Sequence, residues 1–414
     1  MQLFFAPFRF INHMKILHRN LIQGLEKALK ESFFEPNKYA DKVLERTLKH
    51  NKKWGSKDRS FISESFYDII RWKRKLEFYA NKKMAPDNIN SIIATYLLLK
   101  KIELPLFPEF EKIYKKKIKD RFKLAFPSKA IEYSIPDWMQ TLMKEELGEN
   151  WYKEMKALNI PASTILRANT LKTTAEDLKN ILSEEQISVD FIKGYKDALI
   201  LEYKENVFKT QAFKDGLFEI QDASSQLVGQ FLNPKPGMRV IDSCAGAGGK
   251  TLQLAALMQN KGHIIALDIH EWKLQTLKQR ARRNGAHNIQ TKVIEDSKTL
   301  KRLENTADRV LIDAPCSGIG VLRRNPDAKW KLTPEFMERI YKEQREILQN
   351  NSKLVKNGGI MVYATCSIMP SENTKQVLNF LENNKNFKLE EEVSILPSKS
   401  NFDGFYMAKL VRIS

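Results

Sequence analysis

Apolar positions divide this chain before any other feature does. From Met14 to about Leu147 they recur at helical spacing. Leu17, Leu21, Leu25 and Leu29 come every four residues, and Ile62, Phe66, Ile69 and Ile70 form a second stripe behind a cap expected at Ser56. The aliphatic run Ile92, Ile93, Tyr96 and Leu97 adds a third stripe, so this part reads as all-α, closed by a linker marked by Pro127 and Pro136. Between Ser163 and about Val207 the period changes. ILRANTL reads as a short strand, AEDLKNILSEE as an amphipathic helix, and VDFI and ALILEY as two more strands, together a small α+β module. From Phe213 onward, MRVID (238–242), HIIALD (263–268), TKVIED (291–296), RVLIDAP (309–315) and GIMVYATC (359–366) are β-branched runs separated by helix-length segments. Buried parallel strands with crossover helices satisfy that pattern. GFYMAKLVRI, after the turn NFDG, reads as a terminal antiparallel strand. The expected organisation is an all-α domain over 1–147, an α+β module with a linker helix over 148–212, and an α/β domain over 213–414.

Composition narrows the classes. A chain of 414 residues with 42% hydrophobic and 10% aromatic residues is folded protein of two to four domains. No stretch approaches the roughly 18 consecutive apolar residues of a membrane helix. Three cysteines cannot build a disulfide framework, so a reducing, cytoplasmic setting is expected. The opening MQLFFAPFRFINH lacks a basic n-region and a small-residue cleavage site, and is expected to be an overcalled start with translation beginning at Met14. The net charge of +19 divides into +11 over residues 1–150, zero over 151–250 and +8 over 251–414. Two separated basic regions lean towards nucleic acid. The lysine-rich segment Lys112–Lys123 fits a solvated helix face as well as it fits an RNA contact.

The chemistry concentrates at strand ends. The strand ending in Asp242 runs into Cys244-Ala245-Gly246-Ala247-Gly248-Gly249-Lys250 and then a helix, a glycine-rich turn that admits a ligand to the backbone. A phosphate-binding loop would need glycine where Cys244 stands, yet Gly249-Lys250-Thr251 fits, which keeps a nucleotide triphosphatase open. Asp268, 22 residues after Gly246, ends the second strand where a ribose would be held. Asp296 and Asp313 end the third and fourth, and Asp296 is placed to receive an adenine amino group. Cys244, Cys316 and Cys366 all follow strands. Their spacing suits no metal site, and none is expected. Thiolates beside carboxylates and an adenosine-type cofactor suit methylation at carbon 5 of cytosine, where a thiol must add to carbon 6 before carbon 5 becomes nucleophilic. Spacing alone does not say which thiol adds.

QAFKDGLFEIQDASSQL, DSCAGAGGKT, LIDAPCSGIGVLRRNPDAKW and GGIMVYATCSIMPSEN, in that order, resemble the RsmB/NOP family of RNA 5-methylcytosine methyltransferases. The segment KWGSKDRSFISESFYDIIRWKRKLEFY is similar, more loosely, to the NusB-like helical domain of the family's bacterial members. The resemblance implies a Rossmann-like class I methyltransferase domain with a mostly parallel seven-stranded sheet, S-adenosylmethionine as cofactor, and a monomer acting on RNA. It implies Cys366 as nucleophile, Cys316 in product release, Asp313 as proton donor to the base, and Cys244 to Lys250 with Asp268, Asp296 and Asp313 around the cofactor. Arg323, Arg324 and Lys329 are expected to pair with RNA phosphates, and Arg167 and Asn169 either to position RNA or to brace their domain. Small-subunit (16S) ribosomal RNA is the first expectation for the substrate; transfer RNA, or a non-catalytic RNA-binding role, stays open. One departure from the family's usual Cys-Ala-Ala-Pro-Gly-Gly-Lys stands out. Here Gly246 and Ala247 replace alanine and proline, and the loop loses proline's fixed φ.

Overall fold

The computed structural model describes residues 17–36 and 38–414, so the expected overcalled start at 1–13 lies outside the described residues. The chain folds as two compact units. One takes the chain up to Pro161 together with Leu322–Leu332; the other is Ala162–Val321 with Thr333–Ser414. Among the described residues no helix is long and apolar enough to cross a membrane.

The first unit is helical. Helices Arg19–Phe34, Ser56–Arg71 and Ile89–Leu99 bury Leu21, Leu25 and Leu29 against Ile62, Phe66, Ile69, Ile70, Ile92, Ile93 and Tyr96, the stripes read from spacing. Ser56 is the first helical residue rather than the cap. Gly55 holds the cap position, and its amide donates to the Asp58 carboxylate at 3.1 Å. Pro127 and Pro136 do not open a linker either. Pro136 precedes helix Asp137–Leu147, and Met139, Met143, Trp151, Met155 and Leu158 are buried, so this stretch has an apolar face to satisfy and the unit continues to Pro161.

Leu322–Leu332 completes this unit's interior. The Trp330 indole N–H donates to the Ile70 carbonyl at 2.8 Å, Lys329 Nζ donates to the Arg71 carbonyl at 2.8 Å and to Asn159 Oδ1 at 3.1 Å, and Arg323 Nε donates to the Ile160 carbonyl at 3.1 Å. Lys329 is 1% exposed.

The second unit holds two sheets. Strands β1 (Ile165–Ala168), β2 (Val189–Ile192), β3 (Tyr195–Leu201) and β4 (Phe218–Ile220) form an antiparallel sheet in the order β2-β3-β1-β4. Helix Ala175–Glu184 packs on it through Leu178 and Leu182. The module therefore runs past residue 212, because β4 fills the free edge of β1 and buries Phe218. The larger sheet contains β5 (Arg239–Asp242), β6 (His263–Asp268), β7 (Ile289–Val293), β8 (Ala307–Asp313), β9 (Val355–Thr365), β10 (Phe387–Ile395) and β11 (Phe405–Arg412), ordered β10-β11-β9-β8-β5-β6-β7. Strands β5 to β9 pair in parallel, and β10 and β11 are antiparallel. Strand order reverses at β5, with β6 on one side and β8 on the other. Open α/β sheets bind ligands beyond the carboxyl ends of the strands at such a point.

Candidate active site

Four loops leave the carboxyl ends of β5, β6, β8 and β9 at that reversal. The first is the glycine loop. Gly246 adopts φ +54° and Gly248 φ +90°. A Cβ on Gly248 would stand 2.0 Å from Leu277 Cδ1, so this position admits only glycine. At Gly246 and Gly249 an added Cβ would meet nothing within 4 Å, so the loop's other face is an open cradle bounded by backbone. Asp268, buried at the end of β6, accepts from Gly246 N at 3.0 Å and from His270 N at 2.8 Å. A carboxylate has about four acceptor sites, which leaves capacity for two sugar hydroxyls. A backbone cradle beside a fixed carboxylate fits an adenosine ligand such as S-adenosylmethionine. Asp242 lies beneath the loop and accepts from Thr251 Oγ1 at 2.7 Å; burial pushes its carboxyl up to about 7.

The loop lacks the family's proline and is held from outside itself. Arg280 donates to the Ala247 carbonyl at 2.6 Å and to Glu219 at 2.8 Å, and Arg167 donates to the Gly249 carbonyl at 2.8 Å and to Gln221. Glu219 and Arg167 belong to β4 and β1, so the small module fixes two carbonyls of the glycine loop.

Asp313 and Lys250 form an ion pair, Nζ to Oδ2 2.7 Å. Burial alone would lower the Lys250 ammonium, but the charge and hydrogen bond of Asp313, followed by Cys366, hold it above its ordinary value. Lys250 is thus engaged with a carboxylate, unlike a lysine waiting for phosphate. Beyond Asp313, Cys316 Sγ lies 3.2 Å from Cys366 Sγ. Gly320 makes this approach feasible. Its N–H donates to the Cys366 carbonyl at 3.0 Å, and a Cβ there would be 2.3 Å from the Gly404 carbonyl oxygen and 2.7 Å from that of Cys366. The hydrogen bond to Cys366, then burial, pushes the Cys316 thiol well up. Cys244, pushed up by burial and by Asp242, remains a neutral thiol.

The structure thus brings together Cys244 to Lys250, Asp268, Asp313, Cys316 and Cys366. Asp296 stands apart in role: its Oδ1 accepts from Thr299 N at 3.1 Å and caps helix Ser297–Lys301, three residues beyond the end of β7. The expected RNA contacts are largely internal. Arg167 is buried and braces the glycine loop, while Asn169 donates to the Gly216 and Asn284 carbonyls at 2.7 and 2.8 Å. Arg323 and Lys329 are buried: Arg323 Nε donates to a carbonyl, and Lys329 Nζ to a carbonyl and an amide oxygen, of the helical unit. Arg324 is half-buried. Spacing overlooked Glu219, Arg280, Ser317, Ser367 and Glu372, which act through partners distant in sequence; Ser317, Ser367 and Glu372 were signalled only by lying inside the cysteine motifs.

Comparison with known proteins agrees with this geometry. Residues 229–411 match the family described as 16S rRNA methyltransferase RsmB/F, and residues 135–208 match the ferredoxin-like domain of RsmF/B-like methyltransferases. The probable ribosomal RNA small subunit methyltransferase B of Synechocystis sp. is 35% identical over 300 residues, covering 67% of each chain. Ribosomal RNA small subunit methyltransferase B of Pectobacterium atrosepticum is 35% identical over 288 residues, covering 68% of this chain and 67% of its own. The crystal structure of PH0851 shares the fold with a TM-score of 0.81 over 96% of this chain and 99% of its own, at 24% identity. With a cofactor cradle, a paired acid and two adjacent thiols on a sheet of this topology, the chain belongs to the RsmB/F family of S-adenosylmethionine-dependent ribosomal RNA methyltransferases.

Proposed function

We propose that this protein methylates carbon 5 of a cytosine in 16S ribosomal RNA through a covalent adduct at Cys366, with Cys316 releasing the product. The observation that carries the reading is the 3.2 Å approach of the two sulfurs on loops after the neighbouring strands β8 and β9, beside the Lys250–Asp313 pair. Two thiols so close to an acid can serve one flat base. S-adenosylmethionine, when bound, supplies an electrophilic sulfonium methyl.

The residues then divide the work. Cys366 thiolate forms a bond to carbon 6, and the displaced π electrons reach ring nitrogen 3, which takes a proton from Asp313 resupplied by the Lys250 ammonium. Carbon 5 becomes an enamine carbon and accepts the methyl group. Bonding to carbon 6 consumes the Cys366 charge and hydrogen bond that kept the proton on Cys316. Cys316 then gives its own proton to water and, as thiolate, takes the carbon 5 proton. That electron pair restores the carbon 5–carbon 6 double bond, Cys366 leaves as thiolate, and nitrogen 3 returns its proton to Asp313. A base inside a duplex must be flipped or already unpaired to reach the thiols.

Labelled methyl transfer to 16S rRNA followed by nucleoside analysis tests the reading. The expected product is 5-methylcytidine, with activity reduced to background in Cys366→Ala. A different methylated nucleoside, or full activity in that variant, refutes it.

A further inference from the structure

Glu372 ends the short turn Pro370–Glu372, six residues after Cys366, and is 0% exposed. A carboxylate taken out of water is costly unless its lone pairs are filled. Burial raises the Glu372 carboxyl above the ordinary value, and hydrogen bonds from four neutral donors oppose that rise. Ser317 N and Ser317 Oγ donate at 2.7 and 2.6 Å, Gln344 Nε2 at 3.2 Å, and Ser367 Oγ more closely still. The two serines are the residues that follow the two cysteines. Each hydroxyl also accepts from the backbone two residues on, Ile319 N to Ser317 Oγ and Met369 N to Ser367 Oγ, both at 3.2 Å. One carboxylate therefore sets the turn after Cys316 and the turn after Cys366. Asn373 adds a local brace, donating to the Ser367 carbonyl at 3.0 Å and pairing with Thr365.

We propose that Glu372 is a positioning residue for the reaction: by accepting from Ser317 and Ser367 together it sets the spacing of the two thiols, and by its charge it leaves the nucleophile's part to Cys366. A negative charge beside a thiol opposes its ionisation, and Glu372, bonded to the amide of Ser317 next to Cys316, adds to the Cys366 hydrogen bond, the burial and the Cys366 charge that raise the Cys316 thiol. The other ionisable groups around the pair are Lys250 and Cys244 from the glycine loop, Asp313 at the end of β8, and Tyr363 on β9, whose hydroxyl donates to the Glu372 carbonyl at 2.7 Å. Lys250 is paired with Asp313 and is held up in part by Cys366. This inference rests on the covalent reading above and adds to it the group that assigns the thiols their parts.

The test is site-resolved alkylation of the intact protein with iodoacetamide across pH 6–10, read by peptide mass spectrometry without RNA or cofactor. In the wild type, Cys316 is expected to react only at pH above the ordinary thiol range and more slowly than Cys366. Glu372→Gln keeps the shape and removes the charge, and should move the Cys316 profile to lower pH with at least a threefold faster reaction at pH 8. Glu372→Ala removes the tie as well and should lower methyl transfer roughly 10²-fold, the scale of a small misplacement of reacting groups. If Glu372→Ala does not fold, Ser317→Ala and Ser367→Ala each cut one tie and should each slow methyl transfer. An unaltered Cys316 profile in Glu372→Gln overturns the inference. Because alkylation needs no substrate, the two failures are told apart: the expected Glu372→Gln shift in a protein that forms no RNA adduct would sink the covalent reading, and with it the thiols' parts, while the effect of Glu372 on Cys316 would hold.

Discussion

The motif LIDAPCSGIGVLRRNPDAKW is continuous in sequence and divided in the structure. Through Val321 it ends β8, carries Asp313 and Cys316, and belongs to the α/β unit; from Leu322 to Leu332 it belongs to the helical unit. The lysines and acids differ accordingly. Lys250 and Asp313 form an ion pair with part of the carboxylate still open. Lys329 is enclosed on a carbonyl and an amide oxygen, and burial, followed by the Arg71 charge, holds its amine well below the ordinary lysine value. A charge at the rim of a cleft is available to chemistry, whereas one inside a helical interior only satisfies backbone. Contiguity in a motif therefore does not imply a shared task.

Variants on either side of Val321 test that division. Asp313→Asn should lower single-turnover methyl transfer by roughly 10²–10⁴-fold, the usual worth of a positioned acid, with only a modest fall in the thermal unfolding midpoint from the Lys250 charge left unpaired. Loss of stability in place of rate would erase the distinction. Trp330→Ala removes an indole packed against the helical core and bonded to Ile70, and should cost about 3 kcal/mol in denaturant unfolding while calorimetric S-adenosylmethionine affinity stays the same. The smallest effect is expected at Lys329→Met. The slope of log affinity for RNA against log salt should not change, whereas a slope reduced by about one would make Lys329 a phosphate contact after all.

Much of this architecture is readable from sequence because burial is periodic. Leu21, Leu25 and Leu29, and the β-branched runs of β5, β6, β8 and β9, advertise their faces through spacing. The carboxyl-end placement of Asp268, Asp313 and the three cysteines follows once those strands are drawn. Ser56 misleads because serine is a common cap, while the Gly55 amide here finds the Asp58 carboxylate. Arg167 and Asn169 leave two readings open in sequence, because a buried arginine bracing Gly249 has the same one-dimensional signature as one awaiting RNA. Glu372 is invisible to spacing altogether, since its importance lies in reaching Ser317, 55 residues away. The glycine loop shows a related effect. Its missing proline suggests a looser turn, yet Arg280 and Arg167 hold its carbonyls from elements far along the chain.

The central claim is the division of labour between the thiols, and denaturing electrophoresis with mass spectrometry of protein mixed with 16S rRNA and S-adenosylmethionine addresses it most directly. Cys316→Ala should accumulate a covalent protein–RNA adduct linked through Cys366, because carbon 6 is attacked and the carbon 5 proton is not removed. Cys366→Ala should form none. An adduct in Cys366→Ala, linked through Cys316 and absent from Cys316→Ala, would contradict the account.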